Sequence, residues 1–132
     1  MDVAQRKAAI RQGFSDLGAG KPETLLGLLD DGVQWTIIGN TKFSGSFNGK
    51  ADVLERLLGP LGGLLEGHLH ITVDNVFGEG DYVAVQGRGE SKTTAGGTYN
   101  NTYCWVYRWR GDKIVALTEY LDTEVVTASF GR

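Results

Sequence analysis

The second half of the chain alternates apolar and polar residues, and this pattern restricts the possible folds more than any other feature. Alternation with a period of two residues is typical of strands that bury one face. It predicts four strands, near residues 68–77, 81–92, 98–110 and 113–122, with glycine-containing turns between them. Because short turns of this kind join antiparallel neighbours, the sequence predicts an antiparallel meander.

The first half of the chain instead favours helices. Three are predicted, at residues 2–17, at residues 22–29, and from about Lys50 until Gly59 and Pro60 break the third one. The first begins with a capping box formed by Asp2 and Gln5. One early strand is predicted at residues 33–38, where β-branched and aromatic residues cluster.

Helices that precede a run of strands predict an α+β fold rather than alternating βαβ units. We expect a cone-shaped α+β barrel in which three helices of the N-terminal half pack on one face of a curved, mainly antiparallel sheet. Twenty glycines help such a sheet to bend. A length of 132 residues fits one domain that spans residues 1–132.

Charge and composition exclude several partners. The chain has 13 basic and 16 acidic side chains, a net charge of −3, which is the wrong sign for binding nucleic acid. No apolar run approaches the ~20 residues that a bilayer demands, so no membrane partner is expected. Cys104 is the only cysteine, which is typical of a reducing compartment and predicts a cytoplasmic location.

The predicted strand at 98–110 carries an aromatic ladder on its odd positions. These are Tyr99, Asn101, Tyr103, Trp105, Tyr107 and Trp109. If this face looks toward the helices, its rings form core or pocket wall; if it looks outward, so large an apolar patch predicts a subunit interface. For any single ring, plain packing is the alternative to lining a pocket.

Three charged residues on the later strands are candidates for chemistry. Glu119 shares a face with Leu117 and Leu121, and apolar neighbours raise a carboxyl pKa toward the range useful for general acid or base work. Arg88 and Glu90 share a face two residues apart, so the guanidinium could hold the carboxylate ionised and oriented. The alternative for Arg88 and Glu90 is a solvated salt bridge.

Other polar residues carry weaker signals. His68 and His70 have a spacing that can chelate a metal, but no third ligand accompanies them, so we expect rim histidines and no metal. Asp122 precedes Thr123, where it is expected to cap a turn. No sequence pattern for an organic cofactor is present.

The segment TYNNTYCWVYRWRGDKIVALTEYLDT, from Thr98 to Thr123, resembles the closing hairpin of SnoaL-like proteins. This family lies within the nuclear-transport-factor-2-like superfamily and includes polyketide cyclases. The order of the early helices and the stretch LLDDGVQW agree with it, so the resemblance covers nearly the whole chain. It implies a cone with a deep pocket, commonly in a homodimer, and functions that range from cyclases and isomerases to non-catalytic binding proteins.

The resemblance also implies roles for individual residues. Glu119 occupies the position of the last-strand acid that acts as general acid/base in SnoaL-type cyclases. The run Arg88, Gly89, Glu90 resembles the Arg-x-Asp of limonene-epoxide-hydrolase-like enzymes. Gln34 and Thr36 stand where those hydrolases have the Tyr and Asn that hold the attacking water.

The same comparison disfavours one reaction. The general base of ketosteroid isomerases would fall near Thr36 and their first-helix tyrosine near Gly13, and neither residue can do that work.

These observations lead to one main hypothesis and two alternatives. We expect a cofactor-independent enzyme of cyclase, isomerase or hydrolase type that acts on a small, largely apolar, oxygen-bearing molecule, with Glu119 as general acid/base and Arg88 and Glu90 assisting. The residues expected to bind substrate are Gln34, Thr36, Asn101, Tyr103, Trp105 and Leu117. The alternatives are a non-catalytic ligand-binding or accessory protein of the same fold and a purely structural dimerisation module.

Overall fold

The computed structural model describes residues 1–132 and shows an α+β fold with helices against a six-stranded sheet. The helices are α1 (Val3–Gly18), α2 (Glu23–Gly27), α3 (Lys50–Asp52), a π-helical segment (Val53–Leu58), α4 (Gly59–Leu64) and α5 (Thr123–Phe130). The strands are β1 (Leu29–Ile37), β2 (Gly45–Asn48), β3 (Leu65–Glu79), β4 (Tyr82–Thr93), β5 (Thr98–Arg110) and β6 (Lys113–Leu121). The predicted fold class is confirmed.

The sheet is curved, mixed and open. Its strand order is β2-β1-β6-β5-β4-β3, so the predicted meander forms one continuous part of it. All neighbouring strands are antiparallel except β1 and β6, which are parallel. Because β2 and β3 are the two edges and do not pair, the sheet wraps around the interior without closing into a complete barrel.

Helix α1 packs across the sheet beside β3 and is fixed at its N-terminal half by a buried arginine. The predicted capping box is present: Asp2 accepts from the Gln5 backbone N–H, and the Gln5 side chain accepts from the Asp2 backbone N–H. Arg6 is only 7% exposed and donates to the carbonyl oxygens of Gly80 at 3.5 Å and Gly111 at 2.9 Å. One side chain thus ties the helix to two turns of the meander.

The second helix is shorter than predicted. It ends at Gly27 rather than at residue 29, and β1 begins at Leu29, so Asp30 and Asp31 lie in a strand. The reason is pairing with a distant strand: Leu29 is in register with Ile114, whose N–H donates to the Leu28 carbonyl at 2.8 Å. A run of leucines favours a helix locally, and this contact with β6 overrides it.

The prediction that Gly59 and Pro60 break the third helix is wrong. The chain passes from α3 through the π-helical segment and continues in α4 as far as Leu64. Pro60 lies at the junction of the two segments, directly after Gly59, whose N–H still bonds to the Leu54 carbonyl oxygen in the π-helical pattern. The proline therefore marks a change of helix type and does not end the helix, and the predicted apolar bridge after it is mostly helix.

A C-terminal helix, α5, follows the last strand and was not predicted. Asp122 is its N-cap and accepts from the backbone N–H groups of Glu124 at 3.0 Å and Val125 at 3.4 Å. The residue caps as expected, but it begins a helix of eight residues rather than a turn. Val126 of α5 is 1% exposed, so the helix covers part of the interior.

The aromatic ladder of β5 faces the helices and not the solvent. All six odd-numbered residues from Tyr99 to Trp109 are at most 8% exposed. The even-numbered residues of β5 lie on the outer face of the sheet and are half-buried or exposed. The aromatic ladder therefore lies in the interior of the fold.

Candidate active site

A cavity of about 340 Å³ lies between the concave face of the sheet and the helices. Hydrophobic residues make up 22 of the 27 that line it, and Glu119 is the only carboxylate among them. Its volume falls within the ~300–1,000 Å³ typical of small-molecule pockets. The site therefore places one acid in surroundings that exclude most other polar groups.

Glu119 projects from β6 toward the indole of Trp105 on β5. The two residues are directly opposite in the strand register, and the Trp105 indole N–H donates to Glu119 Oε1 at 2.8 Å. Glu119 is 9% exposed. The pairing fixes the carboxyl against the sheet and leaves its other oxygen, Oε2, without a hydrogen bond to the protein.

The environment of Glu119 changes its acidity. Burial raises the pKa of the carboxyl from its ordinary 4.5 to about 7, and the indole N–H groups of Trp105 and Trp35 lower it in part. The buried indole N–H of Trp35 has no hydrogen-bond partner, so it lowers the pKa of Glu119 without forming a hydrogen bond to the carboxyl. A carboxyl that is half-protonated near neutral pH can both accept and return a proton.

Aromatic rings form the wall around this acid. Tyr103 stacks on Trp105 with ring centroids 4.6 Å apart and planes 12° from parallel. Phe14 of α1 also contacts the indole, at a centroid distance of 5.1 Å. Tyr103, Trp105 and Leu117 all line the cavity, so three of the expected binding residues are on its wall.

A hydrogen-bonded chain of polar side chains stands beside the aromatic wall. The Tyr103 and Tyr99 hydroxyls are 3.2 Å apart, and Asn101 Nδ2 donates to the Tyr99 hydroxyl at 3.0 Å. Both tyrosines line the cavity, whereas Asn101, 5% exposed, lies behind Tyr99 and does not reach it. Asn101 therefore supports the pocket and does not line it.

Arg88 and Glu90 lie on the opposite face of the sheet from Glu119, which corrects the expectation that the three form one site. Both are exposed. Arg88 binds Asp74 of β3 through Nε and Nη2, at 3.0 and 2.9 Å, and does not orient Glu90. The salt bridge considered as the alternative is present, but with a different partner.

The residues on the inner face of β4 explain why Arg88 and Glu90 point outward. At that face stand Gly87 and Gly89, and a Cβ on Gly89 would come within 2.9 Å of the Tyr103 ring. The aromatic wall thus occupies the space where side chains of β4 would otherwise project. The alternation of glycine with charged residues in this strand is the sequence signal that assigns the faces.

Gln34 and Thr36 also point away from the cavity, and their expected role in binding is corrected. Gln34 Nε2 donates to Asn48 at 3.3 Å, and the Thr36 hydroxyl lies 3.0 Å from that of Ser46, both on the outer face beside β2. Their neighbours Trp35 and Ile37 line the cavity instead. A shift of one residue exchanges the two faces of a strand, and it does so here.

The two histidines are exposed, and one of them borders the cavity. His68 borders the cavity, with Nε2 3.1 Å from the Gly18 carbonyl oxygen, and its ring is 4.7 Å from that of His70. The structure contains no group of three or more His, Cys, Asp and Glu side chains arranged to hold a metal ion. None of its helices combines the length and the apolar character needed to span a bilayer.

Most residues that line the cavity were not predicted as site residues, and Trp35 and Tyr99 are two that carry polar groups. Trp35 lies on the inward side of β1, and Tyr99 belongs to the same ladder as Tyr103. Tyr99 could have been found because it shares its parity along β5 with Tyr103, which was already assigned to the pocket. Trp35 could have been found because it shares its parity along β1 with the buried apolar residues Val33 and Ile37.

The sequence matches the family model described as a SnoaL-like domain over residues 10–117. No curated protein matches the chain with significance. Solved structures that share the fold have low sequence identity to this chain.

Three of these structures show the range of the fold. An NTF2-like protein from Burkholderia thailandensis is 18% identical, with a TM-score of 0.82, covering 94% of this chain and 95% of that one. A protein described as a SnoaL-like polyketide cyclase from Jannaschia is 14% identical, with a TM-score of 0.78 and coverage of 97% and 92%. TerC, co-crystallised with polyporic acid, is 20% identical, with a TM-score of 0.78 and coverage of 94% and 96%. At these identities the similarity shows the fold alone.

Proposed function

The chain belongs to the family of SnoaL-like domains, and on this premise we propose that it is a small-molecule enzyme in which Glu119 is the general acid/base. Its substrate is a largely apolar molecule that carries at least one oxygen. The observation that carries this proposal is the position of Glu119, a single buried carboxyl with a pKa of about 7 on the wall of an apolar cavity.

The geometry favours proton transfer at carbon over attack by water. A hydrolase needs polar groups that hold and activate a water molecule. The residues expected to do this, Gln34 and Thr36, form hydrogen bonds on the outer face of the sheet, and Arg88 is paired with Asp74 there. We therefore propose the cyclase or isomerase type, in which Glu119 removes a proton next to a carbonyl group and returns it elsewhere.

The comparisons support a small organic ligand in general terms. TerC is crystallised with polyporic acid, and another structure of the same fold is described as a SnoaL-like polyketide cyclase. In this chain the aromatic wall of Tyr103, Trp105 and Phe14 suits a flat ligand, because rings stack favourably on one another.

The proposal is tested by hydrogen exchange at carbon, which needs no knowledge of the natural product. The protein is incubated in deuterium oxide with a panel of bicyclic aryl ketones such as 1-tetralone, and deuterium at the carbon beside the carbonyl is followed by mass spectrometry. We expect wild type to accelerate exchange and Glu119→Gln to lose about a hundredfold or more of that acceleration.

The matched control is Glu90→Gln, which makes the same change on the outer face of the sheet. We expect it to exchange at the wild-type rate. Exchange that is equal in wild type and Glu119→Gln, or that is lost in Glu90→Gln, would contradict the assignment of Glu119.

A second candidate function is ligand binding without turnover. One observation favours it: Glu119 has no second charged group beside it in the cavity, so it could serve only to orient a ligand. In that case wild type and Glu119→Gln would both bind ketones from the panel, measured by calorimetry, and neither would exchange deuterium faster than buffer.

The expected homodimer and cytoplasmic location remain proposals. A dimer is supported by the outer face of the sheet, where Tyr120, 45% exposed, lies opposite the half-buried Cys104 in the β5–β6 register. A second copy laid on this face would cover both side chains. The unpaired thiol of Cys104 suits a reducing compartment.

A further inference from the structure

The two tyrosine hydroxyls in the cavity form one hydrogen bond with each other. That bond uses only one of their two hydrogens. Tyr99 and Tyr103 each carry one O–H hydrogen, and their oxygens are 3.2 Å apart. The Tyr103 hydroxyl donates to the Tyr99 oxygen, so its hydrogen lies between the two oxygens. The other has no acceptor in the protein, because the only further bond to either hydroxyl is donated by Asn101.

The direction of the Asn101 bond is fixed by the backbone. Asn101 Oδ1 accepts from the N–H groups of Thr102 at 2.7 Å and Asp122 at 3.0 Å, so this atom must be the amide oxygen. The amide nitrogen, Nδ2, therefore faces Tyr99 and also donates to the Asp122 carbonyl at 3.1 Å. Tyr99 can only accept from Asn101, and the spare phenolic hydrogen must point elsewhere.

The cavity is the space on which both tyrosines border. In the strand register Tyr103 is diagonal to Glu119, whose direct partner is Trp105. Burial raises the pKa of both phenols, and the charge of nearby Glu119 adds to this effect. Both hydroxyls therefore keep their protons at any ordinary pH and can act only as hydrogen-bond donors or acceptors, not as phenolates.

We propose that Tyr99 and Tyr103 act as one hydrogen-bond donor that binds a carbonyl-type oxygen of the substrate while Glu119 exchanges a proton with the neighbouring carbon. This inference rests on the proposed function and extends it by naming the group that the pocket recognises, an apolar ketone or enone. The spare hydrogen belongs to Tyr99, because Tyr103 donates its own to the Tyr99 oxygen. Loss of either ring leaves one free O–H on the other.

The step balances within the site. Glu119 takes a hydrogen from the carbon beside the carbonyl as a proton, and the electron pair of that C–H bond forms a carbon–carbon double bond. The carbonyl electrons move to oxygen, where the phenolic O–H stabilises the enolate charge. Return of the proton from Glu119 to the same or another carbon restores the carbonyl and the carboxylate.

Two other donors that have no hydrogen-bond partner border the cavity and are the competing explanations. The Trp35 indole N–H is buried without a partner, and Tyr107 lies farther along the β5 wall. The tyrosine pair is favoured because it belongs to a chain anchored on backbone groups through Asn101, and linked hydrogen bonds polarise one another. A preorganised donor stabilises developing charge without having to reorient first.

The test measures the carbonyl stretch of 1-tetralone, labelled with carbon-13 at the carbonyl, when it is bound to the protein. A hydrogen bond to the oxygen lowers the stretching frequency. The proton count predicts a lowered frequency in wild type and in each single variant, Tyr99→Phe and Tyr103→Phe, because one free O–H remains in both. It predicts a return to the frequency of the free ketone in an apolar solvent for the double variant, with binding about three- to tenfold weaker.

The control variants separate this inference from the proposed function. Trp35→Phe, Tyr107→Phe and Glu119→Gln should keep the lowered frequency, and Glu119→Gln should lose deuterium exchange alone. A lowered frequency that persists in the double variant, or that disappears in Trp35→Phe or Tyr107→Phe, would overturn the role of the tyrosine pair and leave that of Glu119 intact. Failure of wild type to bind any ketone of the panel would contradict both proposals.

Discussion

At the scale of the residue, the proposed chemistry depends on how one carboxyl is buried. Glu119 was predictable because it stands between Leu117 and Leu121, so a strand that buries the leucines must also bury the acid. Its partner was not predictable, since the bond to Trp105 depends on how β5 and β6 align. Local pattern therefore identifies the acid, and strand register determines its environment.

Burial of Glu119 predicts a specific dependence of stability on pH. The folded carboxyl has a pKa of about 7 against 4.5 for its ordinary value. Between these values the folded chain holds a proton that the unfolded chain has released, so the free energy of unfolding falls as pH rises through this range. The loss amounts to roughly 3 kcal/mol once both states are ionised.

Urea unfolding of wild type and Glu119→Gln at pH 4 and pH 8 checks this prediction. The side-chain amide of the variant cannot ionise, so the variant should gain stability relative to wild type between pH 4 and pH 8. A difference between the two proteins that does not change with pH would mean that the carboxyl is solvated.

At the scale of the element, β4 shows how missing side chains shape the pocket. Gly89 faces the ring of Tyr103, and a Cβ there would also lie 3.1 Å from Ile71 Cδ1. A strand that carried larger residues at this position would push the aromatic wall into the cavity. The glycines of β4 thus set the position of the wall as much as the aromatic residues do.

Substitution of Gly89 by alanine tests this. The added methyl group would press on Tyr103 at 2.9 Å, so we expect Gly89→Ala to lose about 1–3 kcal/mol of stability and to weaken ketone binding. Gly18→Ala is the matched control, because a Cβ at Gly18 would meet nothing within 4 Å. Equal melting temperatures for Gly89→Ala and wild type would show that the wall moves without resistance.

The elements also show which parts of the fold the sequence could predict. The four long strands were predictable because burying one face requires alternation along the whole strand. The end of α2 was not, because Leu29 is drawn into β1 by Ile114, which lies near the other end of the chain. Gln34 and Arg88 were expected at the pocket, but both find hydrogen-bond partners on the outer face, which the strand register brings beside them.

At the scale of the whole molecule, Arg6 joins parts of the chain that are far apart in sequence. Its guanidinium contacts the turn between β3 and β4 and the turn between β5 and β6, and it lies over the Trp109 ring at 5.7 Å. Helix α1, which covers one side of the cavity through Phe14, is thereby fixed relative to the meander. The shape of the pocket depends on this distant contact.

Removal of the Arg6 guanidinium should loosen the molecule without touching the chemistry. We expect Arg6→Met to lower the free energy of unfolding by about 1–3 kcal/mol, because hydrogen bonds from a charged donor to two turns are lost. Arg11→Met, an exposed position of the same helix, should change it little. Guanidinium unfolding followed by tryptophan fluorescence measures both, and similar midpoints for the two variants would refute the bracing role of Arg6.

The two sides of the cavity carry different types of side chain. This difference affects how a protein of this kind can acquire new ligands during evolution. Every polar group that acts in the proposed chemistry stands on the sheet, whereas the short helices opposite contribute mainly leucines, such as Leu25, Leu57 and Leu61. Exchange of one aliphatic side chain for another there would alter which ligand shapes are admitted and leave the acid and its donors unchanged. Selection could thus retarget this scaffold to new molecules by mutating one side while inheriting its reactivity from the other.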